Sequence, residues 1–359
     1  MPPSSYRATA NCLIAPSPED RAAALAMPPT VATHRELMAR HRGVFEQIEQ
    51  RAPFAARPAP LESARILFWN AERGKFPKEA AGLLETLNAD ALLLCELDVG
   101  MARSGQRHTP ADLADRLGCG YAFGVEFIEL GLGDRAEQAL YLGRENTSSL
   151  HGAAILSPHR LAEPTLIRLE NGGAWLDGSR GERRVGGRVA LLALLDLGGS
   201  PLTMVSVHLE SHSDPAARAE QVELLLGEVD RFAGVSPVLI CGDFNTSTVS
   251  RDWARGTGKK PMLPLERVLD PVRYEPLFEV MATAGYEWQS CNALGLATQR
   301  TRPDGTPKPP LGKIDWFFSR GLHTSAAETI PAVDLDGQAI SDHEILAVTV
   351  QPNAACGAC

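Results

Sequence analysis

The sequence predicts a layered α/β fold, and three observations carry that reading. From Ala64 onward, short apolar runs rich in branched residues alternate with stretches of helical periodicity. Several of those runs end in a polar, chemistry-bearing residue, as sites do at the strand ends of layered α/β folds. The composition, 44% hydrophobic and 22% charged over 359 residues, is that of a globular chain able to bury a sizeable core.

Residues 1–62 have a different texture, rich in proline and alanine and without strand-like runs. Ser17-Pro18-Glu19-Asp20 reads as a capped helix start. Thr33-x-x-Glu36 reads as a capping box, followed by Leu37, Val44, Phe45 and Ile48 at helical spacing. A helical N-terminal extension is expected, joined through Pro58-Ala59-Pro60 to a main domain at 63–351, with a flexible tail at 352–359.

Within the main domain, Arg65–Trp69 is an apolar run ending in Asn70, and Ala91–Cys95 is another ending in Glu96, with a helix expected over Lys78–Leu87. Further strands are expected at Gly152–Ser157, Val189–Leu197 and Leu202–Val207, the last ending in His208. Asp214-Pro215 opens the clearest helix, to about Phe232, with Val222, Leu225, Leu226 and Val229 on one face. Val238–Cys241 then runs into Gly242-Asp243-Phe244-Asn245. Residues 246–313 are long and irregular, with ten basic and seven acidic residues, net +3. Two strands close the chain: Ile314–Ser319, carrying Asp315, and Ile345–Val350, preceded by Ser341-Asp342-His343.

The net charge of −9 offers no global positive field for nucleic acid or an anionic membrane, so a polyanionic substrate must be met locally or through a metal. No apolar run is long enough to span a bilayer, and Met1–Arg7 lacks the apolar core of a signal peptide, so a cytoplasmic protein is expected. Seven scattered cysteines read as reduced core residues, and Cys356-Gly357-Ala358-Cys359 as a frayed tail.

In Gly242-Asp243-Phe244-Asn245 an acid and an amide stand two apart and would face one side of an extended chain. Alone, this is ordinary turn chemistry. It gains weight because Asn70, Glu96 and His208 sit at other strand ends, with Asp342-His343 before the last strand. Carboxylates, amides and histidines without a recognisable serine or cysteine nucleophile suit metal-assisted attack of water on a phosphoester, and a hard divalent ion takes oxygen ligands such as Glu96. His208-x-Glu210-x-His212 is a rival zinc pattern.

Asn70, Leu94-Cys95-Glu96, Gly152–Ser157, Val207–Ser211, Gly242–Asn245, Lys313-Ile314-Asp315 and Ser341-Asp342-His343 resemble, in order, the motifs of the endonuclease/exonuclease/phosphatase superfamily with its DNase I-like fold. The resemblance implies two packed, mainly antiparallel β-sheets flanked by helices, a four-layered sandwich, and a divalent-metal phosphoesterase. It implies Asn70, Glu96 and Asp342 at a Mg²⁺ or Mn²⁺ site and Asp243 on the attacking water. Asn245, His208 and the His343–Asp315 pair would meet the phosphate. Cys95 and Ala153 stand where the family often has glutamine and asparagine, which touches fine positioning. The His-Leu-Glu-Ser string resembles the tyrosyl-DNA phosphodiesterase branch. Arg103 and Arg188, with Arg183 and Arg184, are candidate substrate contacts. A nuclease or DNA-end-processing enzyme is expected; a lipid or small-molecule phosphoesterase and a catalytically silent binding module are the alternatives.

Overall fold

The computed structural model describes residues 5–55, 61–170, 172–247, 249, 263–300 and 311–353. In chain order the strands are β1 (Ser5–Tyr6), β2 (Ala8–Ala10), β3 (Gln47–Arg51), β4 (Ala64–Arg73), β5 (Ala91–Val99), β6 (Gly120–Glu129), β7 (Leu150–Ser157) and β8 (Ala162–Arg168). They continue with β9 (Arg184–Gly186), β10 (Val189–Leu197), β11 (Ser200–His208), β12 (Val238–Asp243), β13 (Asp315–Arg320), β14 (Leu322–Ile330) and β15 (Ile345–Pro352). Among the described residues the helices are α1 (Pro18–Ala26), α2 (Val31–Arg40), α3 (Arg42–Phe45), α4 (Pro77–Thr86), α5 (Thr109–Leu117), α6 (Arg135–Leu140), α7 (Pro215–Ala233), α8 (Leu265–Leu269) and α9 (Leu277–Thr283).

The strands form two sheets, one ordered β1-β8-β10-β11-β12-β13 and the other β14-β15-β4-β5-β7-β6-β3-β2, with β9 added on β6. Two parallel pairs matter for function. Helix α4 carries the chain from β4 to a parallel β5, and α7 carries it from β11 to a parallel β12. A parallel neighbour needs such a crossover, and it brings both C-terminal ends to one edge. Asn70 therefore lies opposite Cys95, beside Glu96, and His208 lies opposite Asp243. Antiparallel β13 then sets Asp315 against Asp243.

The period-2 alternation of the strands sorts their side chains into layers. Ile66 and Phe68 of β4 join Leu191, Met204, Leu239 and Phe317 between the sheets. Leu67 and Trp69 face the other way, onto Leu84 of α4 and Leu113 of α5. Behind the other sheet, Val222, Leu225 and Val229 of α7 meet Val205, Ile240 and Phe278. Helix, sheet, sheet, helix is thus the layering, as the resemblance implied.

The N-terminal segment corrects one expectation. Ser17 caps α1 as anticipated, with a reciprocal Ser17–Asp20 capping box. The next helix instead starts at the Thr30 cap, whose hydroxyl accepts the Thr33 amide at 3.1 Å, so Thr33 lies inside the first turn. The helical run ends by Phe45, and fully buried Ile48 enters β3, where it pairs with β6. Ladder pairing and core burial there override the helical spacing. With β1 on β8 and β2–β3 beside β6, this segment is woven into both sheets rather than docked as an all-helical extension. The Pro58-Ala59-Pro60 linker and the terminal Cys-x-x-Cys lie outside the described residues. Among the described residues, no helix is long and apolar enough to cross a membrane.

Gly242 sits where β12 passes close to β11, and a Cβ there would strike the Val207 carbonyl. Gly242→Ala is therefore expected to cost about 1–3 kcal/mol of stability through overpacking, measured by calorimetric melting, whereas Gly227→Ala in α7, with open space around its Cβ position, leaves the melting temperature equal or higher.

Candidate active site

Three successive strand pairs depart from regular pairing at the same edge. The β4–β5 register shifts between Asn70 and Arg73, β5–β7 between Leu94 and Leu97, and β6–β7 between Val125 and Phe127. Such bulges re-aim side chains. They fall on Glu96, whose φ is +54°, and on Glu126. Asn245, just past β12, also holds a left-handed φ of +50°. Non-glycine residues in that region are uncommon and gather at sites where the fold over-determines them.

A cavity of about 680 Å³ opens at this edge, lined among others by Glu96, His208, Asp243, Asn245, Asp342 and His343. Asp243 is its hub. Its Oδ1 accepts the Asn245 amide at 2.9 Å, and its Oδ2 accepts Nδ2 of Asn70 at 3.1 Å. Nε2 of His208 and Nε2 of His343 stand 3.6 and 3.8 Å from the same Oδ2. Asn70 also donates to Glu96 Oε1 at 3.3 Å, and its own oxygen takes the Glu72 amide. Its nitrogen, not its oxygen, thus faces the carboxylates. Asn245 Nδ2 donates to the Leu209 carbonyl at 3.0 Å.

Each histidine is backed by a buried carboxylate. Nδ1 of His343 lies 2.9 Å from Asp315. Burial works against a charged imidazole, but Asp315, then Asp243 and Asp342, outweigh it and lift the His343 pKa to about 10. Across the cleft, Nδ1 of His208 lies 3.5 Å from Glu126, which also accepts Nη1 of Arg188 at 2.6 Å. Burial opposes the charge of Glu126, yet Arg188 and then His208 bring its pKa down to about 2.

Among the described residues, the one cluster of acids and histidines whose ligand atoms lie within 4.8 Å of one another is Asp243, Asp315 and His343. Its imidazole is already committed to Asp315 and positively charged, which suits an anion better than a cation. Glu96, Asp342 and Asp243 line the same cavity and are the oxygen donors a hard divalent ion takes, although their ligand atoms do not all lie within 4.8 Å of one another. Burial pushes Glu96 toward neutrality, but Arg73, then His208, His151 and His343, hold it well below the usual glutamate range. The rival zinc pattern is not assembled: Glu210 accepts the Trp175 indole N–H at 2.8 Å and the His212 amide at 2.8 Å, with Arg188 at 3.5 Å.

Arg103 overturns an expectation. It was a candidate substrate contact, but its side chain is wholly buried. It forks onto Asp98 at 2.8 and 3.0 Å and reaches Glu137 at 3.0 Å and Glu182 at 3.3 Å. With those carboxylates sealed around it, Arg103 is an internal brace. Arg183 is spent on the Leu176 and Leu25 carbonyls, and Arg184 on Glu129 and Glu182. Arg184 and Arg188 both line the cavity, Arg188 with Nη1 3.0 and 3.1 Å from the two His208 nitrogens.

Sequence reasoning passed over Glu126, Arg73 and His151. Arg73 pairs with Glu96 at 3.8 Å and Glu182 at 3.0 Å, and His151 lines the cleft with Nδ1 2.8 Å from Asp98. The available signal was Glu126 itself, an acid inside the run Gly120–Glu129, every residue of which is buried.

The layered sandwich and this acid-and-histidine cleft define a class of proteins built to work on phosphoesters. Residues 67–343 match the model of the Endonuclease/Exonuclease/phosphatase family, and the chain belongs to that family, whose members are typically hydrolases acting on phosphoesters. An endonuclease/exonuclease/phosphatase from Beutenbergia cavernae DSM 12333 is similar in structure at 19% identity, with a TM-score of 0.55, covering 83% of this chain and 73% of its own. The human Nocturnin catalytic domain with bound sulfate anion matches at 18% identity and a TM-score of 0.51, over 81% of this chain and 94% of that one. ANGEL2, a 2′,3′-cyclic phosphatase seen in complex with adenosine-2′,3′-vanadate, matches at 15% identity and a TM-score of 0.51, over 81% and 96%. These likenesses show the fold. No curated protein matches the sequence.

Glu126 and Glu210 both have folded-state pKa values of about 2. An unfolded glutamate titrates near ~4.3. Their stabilisation is therefore complete above that pH and is lost as pH falls toward 2. Glu126→Gln is expected to lower stability by about 3 kcal/mol near pH 7 by leaving Arg188 underpaired. The gap to wild type should narrow between pH 4.5 and 2, as followed by urea unfolding across that range.

Proposed function

We propose that the protein is a divalent-metal-dependent phosphoesterase that hydrolyses a phosphodiester by in-line attack of water. The observation that carries this reading is the setting of Asp243, one oxygen held by the Asn245 amide, the other by Asn70 and flanked by two carboxylate-backed histidines. In this reading Asp243 orients the attacking water and takes its proton. The water oxygen bonds to phosphorus, the ester P–O bond breaks on the opposite side, and the departing alkoxide or phenoxide takes a proton from solvent, to which Asp243 in turn gives up the one it took. His343, kept cationic by Asp315, meets the negative charge growing on the phosphoryl oxygens, and a preorganised charge of this kind in a water-poor cleft is a large contributor to rate. His208, fixed by Glu126, and the Asn245 side-chain amide hold the same group from the other side.

Glu96 and Asp342 would hold Mg²⁺, or Mn²⁺ in its place, with Asn70 spacing Glu96 from Asp243. When bound, the ion supplies Lewis-acid polarisation of a phosphoryl oxygen. The fit of this donor set to a hard cation and the low pKa of Glu96 support the assignment.

Hydrolysis of bis-p-nitrophenyl phosphate should require Mg²⁺ and stop on EDTA addition. Asp243→Asn should lower kcat/KM by about 10²–10⁴, the usual range for losing a general base. Glu96→Gln should weaken the rise in melting temperature that Mg²⁺ gives the wild-type protein. Metal-independent turnover, or full activity of Asp243→Asn, would contradict the proposal.

A further inference from the structure

The cavity has a second pole, and its chemistry differs from the first. Helix α6 is pinned on its inner side by Glu137, which pairs with Arg103 at 3.0 Å and Lys75 at 3.4 Å, and by Tyr141, whose hydroxyl donates to the Arg103 carbonyl at 3.3 Å. Its outer side presents Leu140, 75% exposed, and the chain goes on to Leu142, 84% exposed. Leu140 and Tyr141 line the same cavity as Asp243, together with Phe76 and Ala136. A helix held this firmly on one side while displaying leucine to water at a cavity mouth leaves an apolar surface with no partner among the described residues.

The cationic side chains lining the cavity give the complementary constraint. Among the described residues, each one already has an internal carboxylate. Lys75 has Glu72 and Glu137, both at 3.4 Å. Arg73 has Glu182 at 3.0 Å and Glu137 at 3.6 Å. Arg184 has Glu129 at 2.7 Å, and Arg188 has Glu126 at 2.6 Å. Binding a nucleic-acid backbone draws its strength from lysines and arginines that replace counterions at successive phosphates, and cations neutralised from within serve that purpose poorly. His343 and the oxygen-rich metal side provide for one phosphate.

We propose that the cleft takes a small phosphoester with a single phosphate and an apolar organic group, an alkyl or aryl ester seated against Phe76, Leu140 and Tyr141. This rests on the phosphoesterase reading of the same site. It departs from the nuclease-type substrate that the sequence suggested.

Full-length protein with Mg²⁺ tests it through inhibition of bis-p-nitrophenyl phosphate hydrolysis by methyl-, butyl-, hexyl- and phenylphosphonate and by a single-stranded DNA 12-mer. Inhibition constants are expected to tighten about threefold per added methylene, with phenylphosphonate near hexylphosphonate. In Leu140→Ser, an exposed change that leaves the core untouched, the hexyl-to-methyl ratio should collapse toward one. A flat series in an active wild-type protein overturns the inference while leaving the phosphoesterase reading standing, and absence of Mg²⁺-dependent turnover overturns that reading first. Inhibition by the 12-mer stronger than by hexylphosphonate and falling steeply with salt overturns the inference in favour of nucleic acid.

Discussion

Asp243 depends on being held from both sides, and most of the fold can be read as the means of holding it. Its position follows from β12 lying parallel to β11, which sets it level with His208, and antiparallel to β13, which sets it level with Asp315. Its orientation follows from the Asn70 amide, which belongs to the opposite sheet. The site therefore spans the seam between the sheets. Their packed core, with Phe68, Leu93, Leu239 and Phe317 wholly or almost wholly buried, fixes Asn70 relative to Asp243, helped by the His343–Asp315 bond across the seam and the Ser341 hydroxyl that donates to the Asn70 carbonyl. A relative slide of an ångström would break the Asn70–Asp243 bond and draw His343, beside β15 of the opposite sheet, away from the Asp243 oxygen.

A second layer of charge supports this arrangement. Arg103, Arg184 and Arg188 are buried beside Asp98, Glu126, Glu129 and Glu182, a costly set of ions to desolvate unless each finds a partner. The geometry supplies those partners, and the gain is positional. Glu126 holds both Arg188 and His208, while Arg73 ties Glu96 to Glu182. Left-handed Glu96 is tied to this network through Arg73, while left-handed Asn245 is held by Asp243 and the Leu209 carbonyl. Removing one ion from it leaves another uncompensated, so losses here reach the site without touching a reacting atom.

Much of this was legible in the sequence. Strand ends at His208 and Asp243 were readable because apolar runs stop abruptly at polar residues, whereas Asn70 and Glu96, read the same way, lie at bulges inside β4 and β5, which run on to Arg73 and Val99. The helix after Asp214-Pro215 declares itself by its cap and its apolar face. The α2 region misled, because Ile48 continues a helical spacing yet is drawn into β3 by pairing with β6. Arg103 misled in a different way. A loop arginine after a candidate ligand looks like a substrate contact until the carboxylates from Asp98, Glu137 and Glu182 are seen to close on it, and those residues are far apart in the chain. Glu126 was missed for the same reason: its partners, Arg188 and His208, are brought to it by the β9–β6 pairing and by the packing of one sheet on the other, which local pattern does not encode.

Water attack on phosphorus at Asp243 is the central proposed step, so the fate of solvent oxygen tests it most directly. Hydrolysis of bis-p-nitrophenyl phosphate in ¹⁸O-enriched water, followed by mass spectrometry of both products, should place one labelled oxygen in the p-nitrophenyl phosphate and none in the p-nitrophenol. Label in the p-nitrophenol, which would mean attack at carbon, would contradict it.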